Sequence, residues 1–129
     1  MSDPRLDTAL PEWPVFVGVT IDAVNPQRIA SYWADLLDVT IEEIHEEEIR
    51  LARQPHRGVG VAVQRVADPT PGKNRIHLDM LVRDVGQATA RAVALGGRAL
   101  DEHCRDGYSW RIVADPEGNQ FCLVQPPVE

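Results

Sequence analysis

Two stretches of this chain repeat the same order of sequence signals, and this repetition constrains the fold more than any other feature. In each stretch an apolar strand precedes a capped amphipathic helix, which three short strands follow; the helices begin near Asn25 and Asp84. Internal similarity of this kind is typical of a duplicated structural unit. The sequence therefore predicts two βαβββ modules, which can enclose one small-molecule cavity between them.

The first module is predicted to span residues 15–66. Apolar and polar residues alternate over residues 15–23 with the period of a β-strand. Asn25 then offers a side-chain cap and Pro26 suits the first turn of a helix, whose apolar residues recur at helical spacing. Three further strands are predicted over residues 39–44, 48–53 and 59–66.

The second module is predicted to span residues 75–127, after a proline-rich linker over residues 67–74. A strand over residues 75–82 leads to a helix that begins at Asp84 and ends before a pair of glycines. The closing strands are predicted over residues 98–103, 108–114 and 120–125, with the turn sequence DPEGN at residues 115–119. Residues 1–14 are interpreted as an N-terminal arm outside both modules.

Length, charge and cysteine content exclude several classes of protein. A chain of 129 residues fits one domain, and its net charge of −7 opposes binding to nucleic acid. The acidic run from Glu42 to Glu48 is predicted to be a solvated hairpin rather than a metal site. No stretch is long and apolar enough to span a membrane, and no secretory signal is recognisable. Two cysteines without a CxxC pair favour a cytoplasmic protein with reduced thiols.

Three stretches of the chain carry a family resemblance, namely "VTIDAVNPQRIASYWADLLDV", "KNRIHLDMLVRDVGQATARAVALGGRAL" and "WRIVADPEGNQFCLVQPP". They are similar to the glyoxalase, bleomycin-resistance and extradiol-dioxygenase group, the vicinal oxygen chelate superfamily, and within it to small glyoxalase-like domains. The resemblance implies an α+β fold in which two βαβββ modules form a half-open mixed β-sheet barrel around a cleft. One helix per module would pack outside the barrel.

The same resemblance implies a set of four metal-binding positions. Members of the superfamily typically bind a divalent metal through one side chain from the first and one from the last strand of each module. Aligning the motifs puts these positions at Gly18, Gln64, His77 and Cys122. Glycine offers no donor, and a thiol replaces the usual carboxylate, so the set is unusual for a catalytic metal. We therefore expect no cofactor; a divalent metal, if bound, would use His77, Gln64 and Cys122.

Strand parity selects the residues that are predicted to face the cleft. His77 and Asp79 lie on the strand face opposite the apolar residues, where Asp79 could orient the imidazole or bind a substrate amine. The alternatives are a hydrogen-bonded structural histidine and an ion pair between Asp79 and Arg75. Cys122 is either an inert thiol or a nucleophile, and Trp110 either core or cavity wall. The predicted cleft residues are Gly18, Thr20, Gln64, His77, Asp79, Trp110 and Cys122.

Two functions are consistent with these features. The first is a glyoxalase-like enzyme of the lyase, isomerase or dioxygenase type, which binds and transforms a small oxygenated or conjugated molecule with His77 as acid or base. The second is a metal-free binding protein of the bleomycin-resistance type, which sequesters a drug or metabolite in a cleft widened by Gly18 and Ala62. In either case the partner is a small molecule, and the resemblance implies a homodimer. A fold that serves only in assembly is a third alternative.

Overall fold

The order of secondary-structure elements repeats in the structure as the sequence predicts. The computed structural model describes residues 12, 16, 18–55, 58–72, 74 and 76–127, so almost all of the predicted N-terminal arm lies outside the described residues. Two helices and eight strands are formed in this part of the chain. They are β1 (Gly18–Ala23), α1 (Pro26–Leu37), β2 (Ile41–Ile44), β3 (Glu48–Leu51), β4 (Gly60–Arg65), β5 (Asp79–Leu81), α2 (Val85–Ala94), β6 (Arg98–Arg105), β7 (Tyr108–Ala114) and β8 (Gln120–Gln125).

The strands form two separate four-stranded sheets with the same topology. Their orders are β1-β4-β3-β2 and β5-β8-β7-β6. In each sheet the first and last strands of the module are parallel, and the other pairs are antiparallel. The helix supplies the crossover that returns the chain in the parallel direction. Both sheets are mixed and open, which confirms the predicted α+β fold of two βαβββ modules.

The two modules are offset by 59 residues, which is the separation of their helix caps. The Asn25 side chain accepts a hydrogen bond from the Arg28 backbone N–H at 3.3 Å. The Asp84 side chain does the same for the Gln87 N–H at 2.9 Å. Both caps satisfy a backbone donor that the first helical turn leaves unpaired. Both helices therefore begin where the sequence predicts.

β5 is much shorter than the predicted strand over residues 75–82, and His77 lies before it rather than within it. The Asn74 side chain accepts from the Gln120 N–H at 3.1 Å and also donates to the Ile76 carbonyl. These side-chain bonds replace part of the backbone ladder that an extended β5 would make with β8. Two ladder-like bonds flank β5, from the Cys122 N–H to the Leu78 carbonyl at 2.8 Å and from the Val82 N–H to the Val124 carbonyl at 2.9 Å.

The two modules share a hydrophobic core that is built around α1. Trp33 is almost fully buried, and its ring lies 4.7 Å from the ring of Phe121 on β8. The Tyr32 hydroxyl donates to the Ala92 carbonyl of α2 at 3.2 Å. Ala92 occupies the position in α2 that corresponds to Trp33, and it is the one fully buried residue of that helix. The larger residue at this position lets α1 contact Phe121 and Asp115 of the second module.

The DPEGN turn is confirmed, and it also docks the second module against α1. The Asp115 carboxylate is 3% exposed and accepts the Trp33 indole N–H at 2.9 Å. The Glu117 carboxylate accepts the backbone N–H groups of Val24 and Asn25 at 2.7 and 2.8 Å, immediately before α1. A negative charge at a helix N-terminus is favourable. Neither helix in the described residues is long and apolar enough to span a membrane.

Candidate functional site

Strand alternation divides each sheet into a helix-covered face and an opposite face. In the first sheet Ile21 and Val63 are register neighbours under α1, so Thr20 and Ala62 lie on the opposite face. In the second sheet Asp79 and Cys122 are neighbours on the corresponding face. The predicted cleft residues fall on these opposite faces, but in two groups. Gly18, Thr20 and Gln64 belong to the first sheet; Asp79, Trp110 and Cys122 belong to the second.

The strand register and the motif alignment match Cys122 with different residues of the first module. Cys122 pairs with Asp79, and the residue equivalent to Asp79 in the first module is Thr20, which pairs with Ala62. Gln64 lies on the same face of the sheet but pairs with Asp22, two residues further along β4. Symmetry between the modules therefore matches Cys122 with Ala62 rather than with Gln64.

Gly18 has a structural reason for lacking a side chain. A Cβ atom at this position would lie 2.9 Å from the Gly60 carbonyl oxygen of the neighbouring strand. Because real Cβ atoms essentially never approach backbone that closely, any larger residue would force β1 away from β4. The glycine is thus required by strand contact, whatever its effect on the size of a cavity.

The first of two cavities lies over the helix-free face of the first sheet. It has a volume of about 440 Å³, and Gly18 and Thr20 contribute to its floor. Arg50 and Glu48 in its lining form an ion pair at 3.0 Å, and Arg50 also lies 3.7 Å from Glu43, which is outside the lining. The lining residues are Gly18, Val19, Thr20, Glu42, Glu48, Arg50, Leu51, Arg53, Gly60, Val61 and Ala62. The acidic hairpin predicted over residues 42–48 therefore borders this cavity.

The second cavity lies between the two modules and is mostly apolar; we call it the inter-module cavity. It has a volume of about 380 Å³ and is enclosed by β1, the start of β4, α1, the loop after β3, and β5 with the residues before it. Because β5 is an edge strand, residues from both of its faces border the gap between the sheets. The lining residues are Phe16, Val19, Ile21, Trp33, Leu37, Ala52, Gln54, Gly58, Val59, Val61, His77, Leu78, Asp79 and Met80.

His77 and Asp79 are the ionisable residues that line the inter-module cavity in the described chain. Both are exposed, which places them at its rim. Neither side chain has a hydrogen-bond or ion-pair partner among the described residues. Arg75, the alternative partner of Asp79, lies outside the described residues. An exposed imidazole beside a carboxylate can exchange a proton or hydrogen-bond a polar group of a ligand.

Cys122 and Trp110 line neither cavity. The Cys122 thiol is buried on β8, and both Cys122 and the exposed Cys104 are free cysteines. Trp110 is half-buried and stacks on His103, with ring centroids 5.3 Å apart. The stacking of His103 on Trp110 was not predicted from the sequence, although the Asp106-Gly107 turn indicates that these two residues lie opposite each other. Both turn residues have positive φ, and such a two-residue hairpin fixes the register that places His103 opposite Trp110.

The residues at the inherited metal positions do not fit a divalent metal. Gly18 and Ala62 offer no donor, and the Cys122 thiol is buried, whereas His77 is exposed. Across the described ranges no three His, Cys, Asp or Glu side chains are grouped so that they could hold an ion. Divalent metal sites in proteins generally need three or more such ligands.

Comparison with solved structures identifies the fold. An enzyme of the glyoxalase/bleomycin resistance protein/dioxygenase family from Burkholderia phytofirmans aligns with a TM-score of 0.73 at 13% identity, over 85% of this chain and 97% of that one. A glyoxalase-related enzyme from Fulvimarina pelagi gives 0.68 at 18% identity, over 87% and 88%. The fosfomycin resistance protein FosX from Mesorhizobium loti gives 0.68 at 13%, over 92% and 96%.

Comparison of sequences identifies the family. No similar sequence is found among curated proteins. A family model for the glyoxalase-like domain matches residues 18–124, which covers both sheets and both helices. This match agrees with the vicinal oxygen chelate fold of the structural neighbours. The chain belongs to the glyoxalase-like domain family.

Proposed function

We propose that this protein binds a small, predominantly apolar molecule in the inter-module cavity. The observation that carries the proposal is the described lining, in which aliphatic and aromatic side chains predominate and Gln54, His77 and Asp79 are the polar residues. Small-molecule sites typically combine an apolar wall with a few polar groups, and a volume of about 380 Å³ lies within their range. The first cavity is a weaker candidate because its charged residues already pair with one another.

The hydrogen bonding of the walls also supports an apolar ligand. The Trp33 indole N–H is already bonded to Asp115, so the ring offers the cavity only carbon surface. The Gln54 amide N–H donates to the Leu37 carbonyl, which fixes its side chain against α1. The polar groups that remain available to a ligand are therefore concentrated at His77 and Asp79. Structural relatives described as a fosfomycin resistance protein and as an enzyme of the glyoxalase/bleomycin resistance protein/dioxygenase family add support for a small-molecule partner.

A cavity-filling variant tests this proposal. Val59 lines the cavity and is 37% exposed, so Val59→Trp can occupy the space without disrupting the core. We expect 2-naphthalenemethanol to bind the wild type in isothermal titration calorimetry and to bind Val59→Trp at least about tenfold more weakly, equivalent to roughly two buried methylene groups. Treatment with EDTA should leave the wild-type affinity unchanged.

The matched control for this variant is Val93→Trp. Val93 is similarly exposed, at 43%, but lies on α2 and lines neither cavity. Its replacement should leave the affinity unchanged. If Val59→Trp bound the alcohol as tightly as Val93→Trp, the inter-module cavity would not be the binding site.

A second candidate function is catalysis with His77 as general base, favoured by the position of His77 at the rim of the same cavity. A suitable probe is 2-acetonaphthone in D₂O. A base that removes a methyl proton forms the enolate, and deuteron transfer back to carbon yields the labelled ketone. General base catalysis contributes about 10²- to 10⁴-fold to such rates.

We expect wild-type protein to accelerate this exchange, as measured by NMR, and His77→Ala to lose most of the acceleration. The melting temperature should not change, because His77 is exposed and makes no described hydrogen bond. The control is His103→Ala, which lines neither cavity. Equal exchange rates in wild type and His77→Ala would exclude this catalytic role.

We further propose that the protein acts in the cytoplasm as a homodimer. Neither cysteine forms a disulfide, which is consistent with a reducing compartment. The helix-free face of the second sheet carries Leu81 and Tyr108, exposed to 70% and 44%, next to Trp110 and Val124. Exposed apolar surface of this kind often marks an interface.

A further inference from the structure

The described lining of the inter-module cavity contains a negatively charged residue and no positively charged lysine or arginine. Asp79 supplies the only carboxylate of the described lining, and no lysine or arginine contributes to that lining. By contrast, the first cavity contains both arginines and glutamates, which interact with one another. Only the inter-module cavity therefore combines apolar walls with a carboxylate that has no counter-charge among its described lining residues.

Asp79 lies at the rim of the cavity, where it can contact a cation whose apolar part is bound inside. Asp79 begins β5 and pairs in register with the buried Cys122, while Leu78 and Met80 on either side contribute apolar lining. Asp79 is exposed, so an ion pair there contributes the modest free energy of a partly solvated pair, which a few-fold difference in affinity can detect. A ligand cation at this rim would gain an ion pair without displacing a described partner of Asp79.

The charge of the whole chain acts in the same direction. With 20 acidic against 13 basic side chains, the protein carries a net charge of −7. A negative protein field raises the local concentration of cations and lowers that of anions. Organic anions would thus be disfavoured both by the long-range field and by Asp79 at the rim.

We infer that the ligand of the inter-module cavity is an organic amine, with its hydrocarbon or aromatic body against Trp33 and the aliphatic walls and its ammonium group on Asp79. His77, two residues from Asp79 on the same rim, can accept a second hydrogen bond from the ammonium. This inference rests on the proposed function, because it names the chemical class of ligand for the proposed cavity.

The test compares 2-naphthylmethylamine with its near-isostere 2-naphthalenemethanol by isothermal titration calorimetry at pH 8, where the amine remains charged. The wild type should bind the amine at least about threefold more tightly than the alcohol, the range of a partly exposed ion pair. Asp79→Asn should remove this preference, so that the amine and the alcohol bind this variant with equal affinity. The matched control is Asp101→Asn, which removes the same charge from β6 and lines neither cavity.

The outcomes separate this inference from the proposed function. If both probes bound equally, or if the amine preference persisted in Asp79→Asn, the inference would be wrong while binding in the cavity still held. An equal loss of preference in Asp101→Asn would also overturn it, because net charge rather than Asp79 would then select the amine. Failure of both probes to bind the wild type would overturn the proposed function together with the inference.

Discussion

Tyr32 couples the contact between modules to pH. Burial, reinforced by the nearby Asp115 carboxylate, raises the pKa of Tyr32 from 10.0 to about 12. Its hydroxyl donates to the Ala92 carbonyl, so the folded protein favours the protonated phenol. In the unfolded chain the phenol ionises near pH 10. The stability contributed by Tyr32 is therefore complete below pH 10 and is lost as the pH rises toward 12.

We expect the free energy of unfolding of the wild type to fall by about 1 kcal/mol more than that of Tyr32→Phe between pH 8 and pH 11. Phenylalanine cannot ionise, so the variant lacks this part of the alkaline sensitivity. Urea denaturation at the two pH values measures the difference. Tyr108→Phe, at an exposed position, is the control and should behave as the wild type. The same pH response in wild type and Tyr32→Phe would contradict the assignment.

For single residues, the sequence predicts the structural role where that role depends on neighbours in the sequence. The caps Asn25 and Asp84 and the buried Trp33 are found as expected, because capping and helical periodicity depend on residues three or four apart. The equivalence of Ala62 and Cys122 was missed because it depends on strand register. Register across a parallel pair is set by packing between distant segments rather than by a local motif.

At the scale of elements, the turn between β7 and β8 holds the modules together. Asp115 Oδ2 accepts the Trp33 indole N–H and the Asn119 side-chain N–H, both at 2.9 Å. Asp115 Oδ1 accepts the backbone N–H groups of Glu117 and Asn119, also at 2.9 Å. Four donors converge on one buried carboxylate, which orders the turn and anchors α1 at the same time.

Asp115→Asn should therefore lower the free energy of unfolding by about 2 to 4 kcal/mol, because the amide NH₂ must face donors in a buried site. Urea denaturation at pH 7 gives the value. Asp106→Asn is the control, since this turn residue is exposed and has a positive φ that asparagine tolerates. Equal stability of the two variants would show that the Asp115 network does not hold the modules together.

Most helix and strand positions were predictable, and the exception is informative. β7 and β8 coincide with their predicted ranges, because alternation and turn residues define both ends. β5 does not, although its sequence alternates over eight residues. Hydrogen bonds of the Asn74 side chain replace part of the backbone ladder between β5 and β8. The alternation of apolar and polar residues does not reveal this replacement.

At the scale of the whole molecule, the proposed homodimer assigns a role to the exposed helix-free face of the second sheet. Leu81→Asp puts a charge into this face and should shift the protein from dimer to monomer in size-exclusion chromatography with light scattering. Val93→Asp is the control, because it charges an exposed apolar site on α2 instead. A monomeric wild type, or a Leu81→Asp variant that remained dimeric, would contradict the proposed interface.

The duplication itself could be predicted from the sequence, but the arrangement of the two modules could not. The core contact between Trp33 and Phe121 joins residues 88 positions apart, and the inter-module cavity is enclosed by segments of both modules. Local patterns specify each module because its helix and strands are close in sequence. The space left between modules depends on side-chain sizes at long range, such as Trp33 opposite Phe121, and emerges only in three dimensions.

The central claim is that a small apolar ligand binds between the modules, and methyl NMR with 2-naphthalenemethanol tests it most directly. The largest shifts are expected at methyl groups of the cavity wall, namely Val19, Leu37, Val61, Leu78 and Met80. The methyl groups of Ile44 and Val93, which lie on the exposed surface and line neither cavity, should not move. Shifts confined to Leu81 and Val124 on the helix-free face, with the cavity methyls unchanged, would contradict the account.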